Sequence, residues 1–337
     1  MGNSPSEKSR LKQIVRSLIL AQGNVFIKEL LRGKQKSGAD VAIGSTKAEF
    51  EKNLVQAIDD GHITAQDIAD WLALTEGWGG QYVYLYPALP KQSSAELHAK
   101  IAASRHKKRL TATESVVFPE DLQLTAIVVD GERLLLTWHR GSARFSRAKD
   151  KDDTLELGLD RYELRAYLEH RDRAVVRFEW RFDRDFCGLF VQLAYNDPAH
   201  ETVFREVWNV LTAIGAATGP SDPVPLVRAV RRIGSLAGSV ERSSKWHVDG
   251  GYVDIHADAE GGIAAVGPVA RARQGIDVNE FSSADGQFEL PTRDPVPGAP
   301  KHLRLTVHGG AGRIRITSQC LRQQVYDLVD EIWRQNA

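Results

Sequence analysis

The chain has few cysteines and no long hydrophobic run. Cys187 and Cys320 are its only two cysteines among 337 residues, and neither belongs to a CxxC pair, which argues against a disulfide scaffold and a thiolate zinc site. We expect both thiols to be small buried groups in a reducing compartment. No segment approaches the roughly 18 apolar residues of a membrane span, and the first ten residues lack a signal-peptide core. The expected location is the cytoplasm.

The short motifs of the common enzyme classes are also missing. There is no GxxxxGK[ST] loop, no GxGxxG after a strand, no GxSxG elbow and no HExxH pair. The ten histidines are scattered, and no histidine stands beside a cysteine. The sequence therefore predicts no cofactor and gives no support to a catalytic function.

The chain has no excess of charge of either sign, with 44 basic and 44 acidic residues, but its charges are unevenly distributed. Residues 1–58 carry 10 Lys or Arg against 5 Asp or Glu, and residues 88–110 carry 6 against 1. Residues 59–87 between them carry 5 acidic residues and no Lys or Arg. Because salt screens fields beyond about 10 Å, a local basic surface can attract phosphate on a neutral protein.

Hydrophobic spacing predicts helices first and strands afterwards. Helical periodicity covers residues 11–19 and 25–32, and two capping boxes, Thr46 with Glu49 and Thr64 with Asp67, open two further helices. Alternation with a period of two begins at Tyr82 and dominates from Leu122 onward, where short strands are interrupted by helices. The prediction is an α+β fold in which an N-terminal helical bundle precedes antiparallel sheet-plus-helix domains.

Linkers rich in Pro and Gly suggest the domain boundaries. They predict a helical domain over 8–87, a sheet-plus-helix domain over 94–215 and a second one over 223–337. The strand and helix at 190–211 place their apolar residues in the same order as the strand and helix at 313–333. This indicates a weak internal repeat, although any amphipathic strand followed by an amphipathic helix produces the same pattern.

Residues 25–58 resemble a SAP motif, the helix-extended-helix module of chromatin and DNA-repair proteins. The matching features are an apolar first helix with Phe26 and Leu30, a turn at Gly44, and a second helix with Lys47 and Phe50. The loop from Lys34 to Gly44 is longer than the family pattern. The resemblance covers about a tenth of the chain and implies contact with duplex DNA through the start of the second helix.

The predicted nucleic-acid contacts fall into two groups. The SAP-like group has amides and cations at the second helix start and lysines in the loop: Lys34, Lys36, Ser45, Thr46 and Lys47. The second group lies at the predicted C-terminal turn of a helix over 94–109: Arg105, Lys107, Lys108 and Arg109. Each group could instead be a solvated basic surface, and the second would then stabilise the helix dipole.

Two other patterns have a structural and a functional interpretation. Tyr82, Tyr84 and Tyr86 share one face of a strand and could stack on unpaired bases, but we favour packing in a core. Asp254, His256 and Asp258 alternate along a second strand and are low-weight candidates for a metal site. Such alternation is more often the polar face of a hairpin.

Together these features predict a DNA-binding, non-catalytic protein that recruits a partner in DNA repair or phage defence. The alternative is an adaptor that contacts proteins and no nucleic acid. In layout alone, a helical domain before a β-rich saddle also resembles the CENP-N family of centromere proteins. A metal-dependent hydrolase is a third and weaker hypothesis, and no membrane partner is expected.

Overall fold

A computed structural model describes residues 5–111, 117–158, 160–194, 196–275, 282–293 and 299–337. Its helices and its large antiparallel sheet give the α+β fold that the sequence predicts.

Four helices precede the sheet. They are α1 (Pro5–Ile14), which continues into a π-helical turn at Val15–Ile19, α2 (Asn24–Lys36), α3 (Lys47–Asp59) and α4 (Ala65–Thr75). Their apolar stripes share one cluster that includes Ile27, Phe50, Leu54 and Ile68. Both predicted capping boxes are present and fix the starts of α3 and α4. We call residues 5–75 the N-terminal helical unit.

Two predicted helix ends are wrong, and both errors involve cations of the predicted site. Helix α2 does not stop near Gly33 but continues to Lys36, because the left-handed turn comes at Gly38, with φ of 92°. Lys34 and Lys36 therefore lie in the last helical turn rather than in the loop. Helix α5 (Ser94–Ala103) ends before the basic cluster, since Ser104 is extended and a short 3₁₀ turn follows at Lys107–Arg109.

Among the described residues, ten strands form one continuous antiparallel sheet, and two more form a small separate hairpin. The spatial order of the ten is β2, β3, β6, β7, β1, β12, β11, β10, β8, β9. The strands before residue 200 are β1 (Gln81–Pro87), β2 (Gln123–Val129), β3 (Arg133–Arg147), β4 (Asp153–Leu157), β5 (Asp160–Leu164), β6 (Tyr167–Arg181) and β7 (Phe186–Val191). The later strands are β8 (Val240–Val248), β9 (Gly251–His256), β10 (Ser283–Pro291), β11 (His302–His308) and β12 (Arg313–Ile316).

The remaining helices lie between and after the strands. They are α6 (Pro198–Ala213), α7 (Val227–Ile233), α8 (Gly267–Gln274) and α9 (Arg322–Asn336). The alternation over residues 245–290 predicts short strands separated by Gly turns, so helix α8 within that stretch shows that this part of the prediction is wrong. Pro268 at its first turn starts this helix, since its fixed φ suits the first helical positions.

Strand β1 lies at the centre and separates two similar halves. It pairs antiparallel with β7 on one side and with β12 on the other. Helices α5 and α6 pack on the face that carries Tyr84 and Tyr86, and α7 and α9 pack on the face that carries Val83 and Leu85. Because alternate residues of a strand point to opposite faces, the two halves cover opposite faces. An approximate two-fold axis along β1 therefore relates them.

This symmetry agrees with the internal repeat in the sequence. Strand β7 followed by α6 and strand β12 followed by α9 occupy equivalent places on the two sides of β1. The predicted domains at 94–215 and 223–337 correspond to the two halves of one sheet. The segment predicted as the helical domain supplies the central strand of that sheet.

The N-terminal helical unit covers the second face of the first half. Glu76, just after α4, forms an ion pair with Arg173 of β6, and the backbone carbonyl of Glu76 accepts a hydrogen bond from Arg177. These arginines alternate with Val176 and Phe178, which face α6. The first half of the sheet is thus packed on both faces.

Candidate nucleic-acid interface

The sequence predicts that the backbone amides at the start of α3 bind phosphate. In the structure, these amides are hydrogen-bonded to side chains of the same helix start. The Thr46 hydroxyl accepts a hydrogen bond from the Glu49 amide at 3.2 Å. The Glu49 carboxylate in turn accepts hydrogen bonds from the amides of Ser45 at 2.6 Å and Thr46 at 3.4 Å. The capping box that predicts this helix places a negative charge where a phosphate would bind, so Ser45 and Thr46 do not present an open anion site.

Two of the three lysines near this helix are also engaged. Lys34 forms an ion pair with Asp67 of α4 at 3.0 Å, and both side chains are about one-fifth exposed. The Lys47 ammonium donates to the backbone carbonyls of Leu20 and Gln22. Partial burial lowers the pKa of Lys47. Lys36 has an exposed side chain and is the one of these three predicted lysines that remains available.

The second predicted group is exposed but lies on the other side of the sheet. Arg105, Lys107, Lys108 and Arg109, which we call the basic turn, follow α5 and have exposed side chains. Helix α5 packs with α6 on the Tyr84 face, whereas the N-terminal helical unit packs on the opposite face. The structure therefore does not bring the basic turn together with Lys34, Lys36 and Lys47.

The second half of the sheet presents a polar surface on the same side as α5 and α6. On strands β10 to β12, alternate residues such as Phe288, Leu305 and Ile314 face the core under α7 and α9. The residues between them point the other way and are all polar. We call this set the open face: Asp285, Gln287, Glu289, Arg304, Thr306, His308, Arg313 and Arg315.

The approximate two-fold axis relates the open face to a surface of the first half. That equivalent surface is covered by the N-terminal helical unit. Within the described ranges, no hydrophobic cluster includes these eight side chains. Residues 256–260 and strands β10 to β12 border a shallow groove of about 640 Å³ across this surface.

Tyr82 lies at the inner border of the open face, beside two arginines. It is partly buried and packs against the core of the first half, where its ring meets His200 edge-on with 5.5 Å between the ring centres. Tyr82 pairs directly with Arg315 across β1 and β12. The Arg313 and Arg315 guanidiniums lie 5.7 and 5.9 Å from the centre of its ring. Arg315 is exposed and forms no ion pair among the residues that the structure places. Arg304 on the next strand is 75% exposed and reaches Glu289 at 3.3 Å. An aromatic ring beside several cations suits a nucleotide chain.

The other two tyrosines of β1 belong to the core, as we favoured from the sequence. Tyr84 and Tyr86 are buried under α6, where their rings meet Phe204 and Trp208 edge-on. The Tyr84 hydroxyl forms a 2.8 Å hydrogen bond with Nε2 of His200. Burial raises the pKa of Tyr86 and lowers that of His200.

The low-weight metal candidates do not form a site. His256 Nε2 lies 2.7 Å from Asp258 Oδ1, and both side chains are more than half exposed. Asp254 pairs with Lys245 across β8 and β9. Within the part of the chain that the structure covers, no three His, Cys, Asp or Glu side chains converge to hold a metal ion.

A third surface carries exposed apolar residues. Strands β4 and β5 form a hairpin, and every residue of the two strands is exposed. Leu155, Leu157, Tyr162 and Leu164 share one face of this hairpin, and Glu156 and Arg161 lie on the other. We call strands β4 and β5 the apolar hairpin. Such a hairpin is marginal in water unless another surface packs against it.

The arginines of the open face are not among the contact residues that the sequence predicts. The signal was present in the alternating segments HLRLTVH and RIRIT, which place Arg304, Arg313 and Arg315 opposite the apolar residues. The alternation marks a polar face but does not indicate which half of the sheet stays uncovered.

No helix among the described residues is both long and apolar enough to cross a membrane. No known family model matches the chain, and no curated protein is significantly similar to it.

Proposed function

We propose that this protein binds nucleic acid without catalysing a reaction, and that it does so through the open face and the basic turn. The observation that carries the proposal is the position of Tyr82 beside Arg313 and Arg315 at the border of the uncovered half-sheet. The basic turn lies on the same side of the sheet and adds four exposed cations. The SAP-like segment, residues 25–58, lies on the opposite side of the sheet, and Glu49 closes its predicted anion site, so it contributes only Lys36 as a peripheral contact.

The proposed mechanism is electrostatic attraction combined with stacking. Arg304, Arg313 and Arg315 contact phosphates, and Tyr82 offers its ring to an unpaired base. A flat sheet with an aromatic ring and cations is the arrangement that binds single strands in other proteins. Sequence preference should be weak, because most of these contacts involve phosphates rather than base edges.

Fluorescence anisotropy with a labelled 20-nucleotide thymidine strand and the matching duplex tests the proposal at two salt concentrations. The proposal predicts tighter binding of the single strand than of the duplex. For single strands the slope of log affinity against log salt is about −0.7 per phosphate contact, so the three arginines alone give about −2, and full engagement of the four basic-turn cations gives about −5. Arg304→Glu/Arg315→Glu should remove most of the binding.

A second double variant serves as the matched control, because it changes the net charge by the same amount as Arg304→Glu/Arg315→Glu but lies away from the open face. Lys149→Glu/Lys151→Glu alters a short exposed turn after β3 and should bind the strand like the wild type. Equal losses in the two double variants would indicate a nonspecific effect of net charge. Binding that ignores both salt and Arg304→Glu/Arg315→Glu would overturn the proposal.

The apolar hairpin supports a second candidate function, that of an adaptor for another protein. Its four apolar side chains lie on one face, where a partner could cover them. Affinity purification from the native host tests this with wild type and Leu155→Lys/Leu157→Lys. A stoichiometric partner lost only from the variant supports the adaptor function, and identical recovery contradicts it.

A further inference from the structure

A separate cavity of about 380 Å³ lies between α4 and the first half of the sheet. Helix α4 forms one wall, and strands β2, β3 and β6 form the other. The first residue of α9 completes the lining. Four guanidiniums line this space, and we call it the arginine cavity: Arg133, Arg173, Arg177 and Arg322.

Two of the four arginines are neutralised by carboxylates. Arg173 holds both oxygens of Glu76 at 2.6 Å, and Arg133 contacts Glu179 at 3.1 Å. Arg177 lies over the ring of Trp78, with 4.8 Å between the guanidinium and the ring centre. These contacts make the sheet side of the cavity a fixed, preorganised surface.

Arg322 differs from the other three. Its side chain is half-buried, and it forms no hydrogen bond or ion pair with any of the residues described. An unpaired arginine that is partly withdrawn from water is costly unless an anion accompanies it. Arg322 is also the first residue of α9, where the helix dipole favours negative charge.

A buried histidine, His139, is affected by the positive charges of two of these arginines. His139 is buried on β3, and burial is the main cause that lowers its pKa, to about 2. Arg173 and Arg177 lower the pKa of His139 further, because a protonated imidazole beside these two cations is unfavourable.

The rest of the lining combines apolar side chains with Gln66 and Asp70 of α4. Leu74 is exposed at the rim, and Leu135 and Val128 form a buried floor. Pockets of this size, with apolar walls and a few polar groups, are typical of small-molecule sites.

We propose that the arginine cavity binds a small organic anion. Its acidic group contacts Arg322, the unpaired arginine, and its apolar part lies on Leu135 and Val128. The acidic group is a phosphate or a carboxylate, since guanidinium binds both through paired hydrogen bonds. This site is independent of the nucleic-acid proposal, because it lies on the opposite side of the sheet from the basic turn.

Titration calorimetry with three matched probes tests the proposal on the full chain. 1-Naphthyl phosphate and 1-naphthoate carry the anionic group on the same ring system, and 1-naphthol lacks it. We expect at least one anion to bind, and naphthol to bind at least about tenfold more weakly. The tighter of the two anions identifies the acidic group of the natural ligand. A saturating oligonucleotide should not displace either.

Variants of Arg322 separate a binding role from a structural one. Arg322→Gln should keep the thermal midpoint of the free protein but lose about tenfold in affinity for the anion, and Arg322→Lys should recover part of it. Arg334→Gln on the outer end of α9 is the matched control and should bind as the wild type does. The proposal is overturned if neither anion binds at millimolar concentration, if naphthol binds equally well, or if Arg322→Gln has no effect.

Discussion

Arg173 and Glu76 form a buried, two-pronged ion pair that joins the sheet to the N-terminal helical unit. The Nε and Nη2 atoms of Arg173 each lie 2.6 Å from a different carboxylate oxygen of Glu76. The third nitrogen of the guanidinium donates to the carbonyl of Val117 at 3.0 Å. Because both side chains are almost fully buried, neither can exchange its partner for water.

We expect removal of either partner to be strongly destabilising. Arg173→Met leaves the Glu76 carboxylate buried without its cation, and a loss of about 3–5 kcal/mol is typical of such a change. Urea unfolding followed by circular dichroism measures it. Replacing both residues, as Arg173→Met/Glu76→Leu, should cost less than the sum of the single changes, because no lone charge remains.

An exposed ion pair on α9 provides the comparison. Arg334 contacts Glu331 at 2.7 Å, but its side chain is 55% exposed. Arg334→Met should change the free energy of unfolding by less than about 1 kcal/mol. Similar losses at Arg173 and Arg334 would contradict the assignment of Arg173 as the buried link.

We predict that stability falls as the pH drops below about 6.5, the usual pKa of histidine in an unfolded chain. His139 has its pKa lowered to about 2 by burial and by two arginines, so the folded state keeps it neutral. The contribution of neutral His139 to the free energy of unfolding is complete above pH 6.5. This contribution is lost at up to about 1.4 kcal/mol per pH unit below that value, since only the unfolded state takes up the proton.

Urea unfolding at pH 7.5, 6.5 and 5.5 tests this dependence. His139→Asn should be less stable at every pH, because His139 and Thr125 form a 2.7 Å hydrogen bond, but its stability should fall less steeply below pH 6.5. The same steepness in both proteins would show that other groups cause the effect.

Both cysteines should be unreactive in the folded protein. Burial raises the pKa of Cys187 and of Cys320 to about 12, and thiolate is the reactive form. The thiol of Cys320 also donates to the carbonyl of Trp78. Ellman's reagent at pH 8 should modify neither thiol until denaturant is added, and then both. Rapid labelling of one thiol under native conditions would contradict the buried position of that residue.

Lys34 and Lys36 should behave differently although only one residue separates them. Lys34→Ala removes the ion pair with Asp67 and should lower the free energy of unfolding by about 0.5–1 kcal/mol, as is usual for partly exposed pairs. It should leave oligonucleotide affinity unchanged. Lys36→Ala should have no effect on stability and a small effect on affinity, so the same anisotropy and urea measurements distinguish the two roles.

Local signals in the sequence predicted the elements that depend on neighbouring residues. The boxes Thr46 with Glu49 and Thr64 with Asp67 placed the starts of α3 and α4 correctly, because the hydrogen bonds are made within four residues. The end of α2 was misplaced because glycine often ends a helix, yet Gly33 is helical and Gly38 makes the turn. When two glycines lie close together, the sequence does not show which of them ends the helix.

The candidate surface could not be predicted because it depends on pairing between distant residues. Tyr82 meets Arg313 and Arg315 only after β1 has paired with β12. Likewise, Asp67 neutralises Lys34 through packing of α4 beside α2, which the charge count of residues 1–58 cannot reveal. The sequence shows where the cations lie along the chain, whereas tertiary contacts decide which of them are free to bind phosphate.

The central place of β1 has a consequence for synthesis on the ribosome. This strand emerges early, but its first partner β7 follows about a hundred residues later and β12 more than two hundred residues later. At about 5–20 residues per second, the edge that will meet β12 stays unpaired for some ten seconds or longer after β1 has emerged. A nascent chain paused after α6 would expose that edge to other chains. Chaperone dependence during translation is therefore expected to be greatest in this interval.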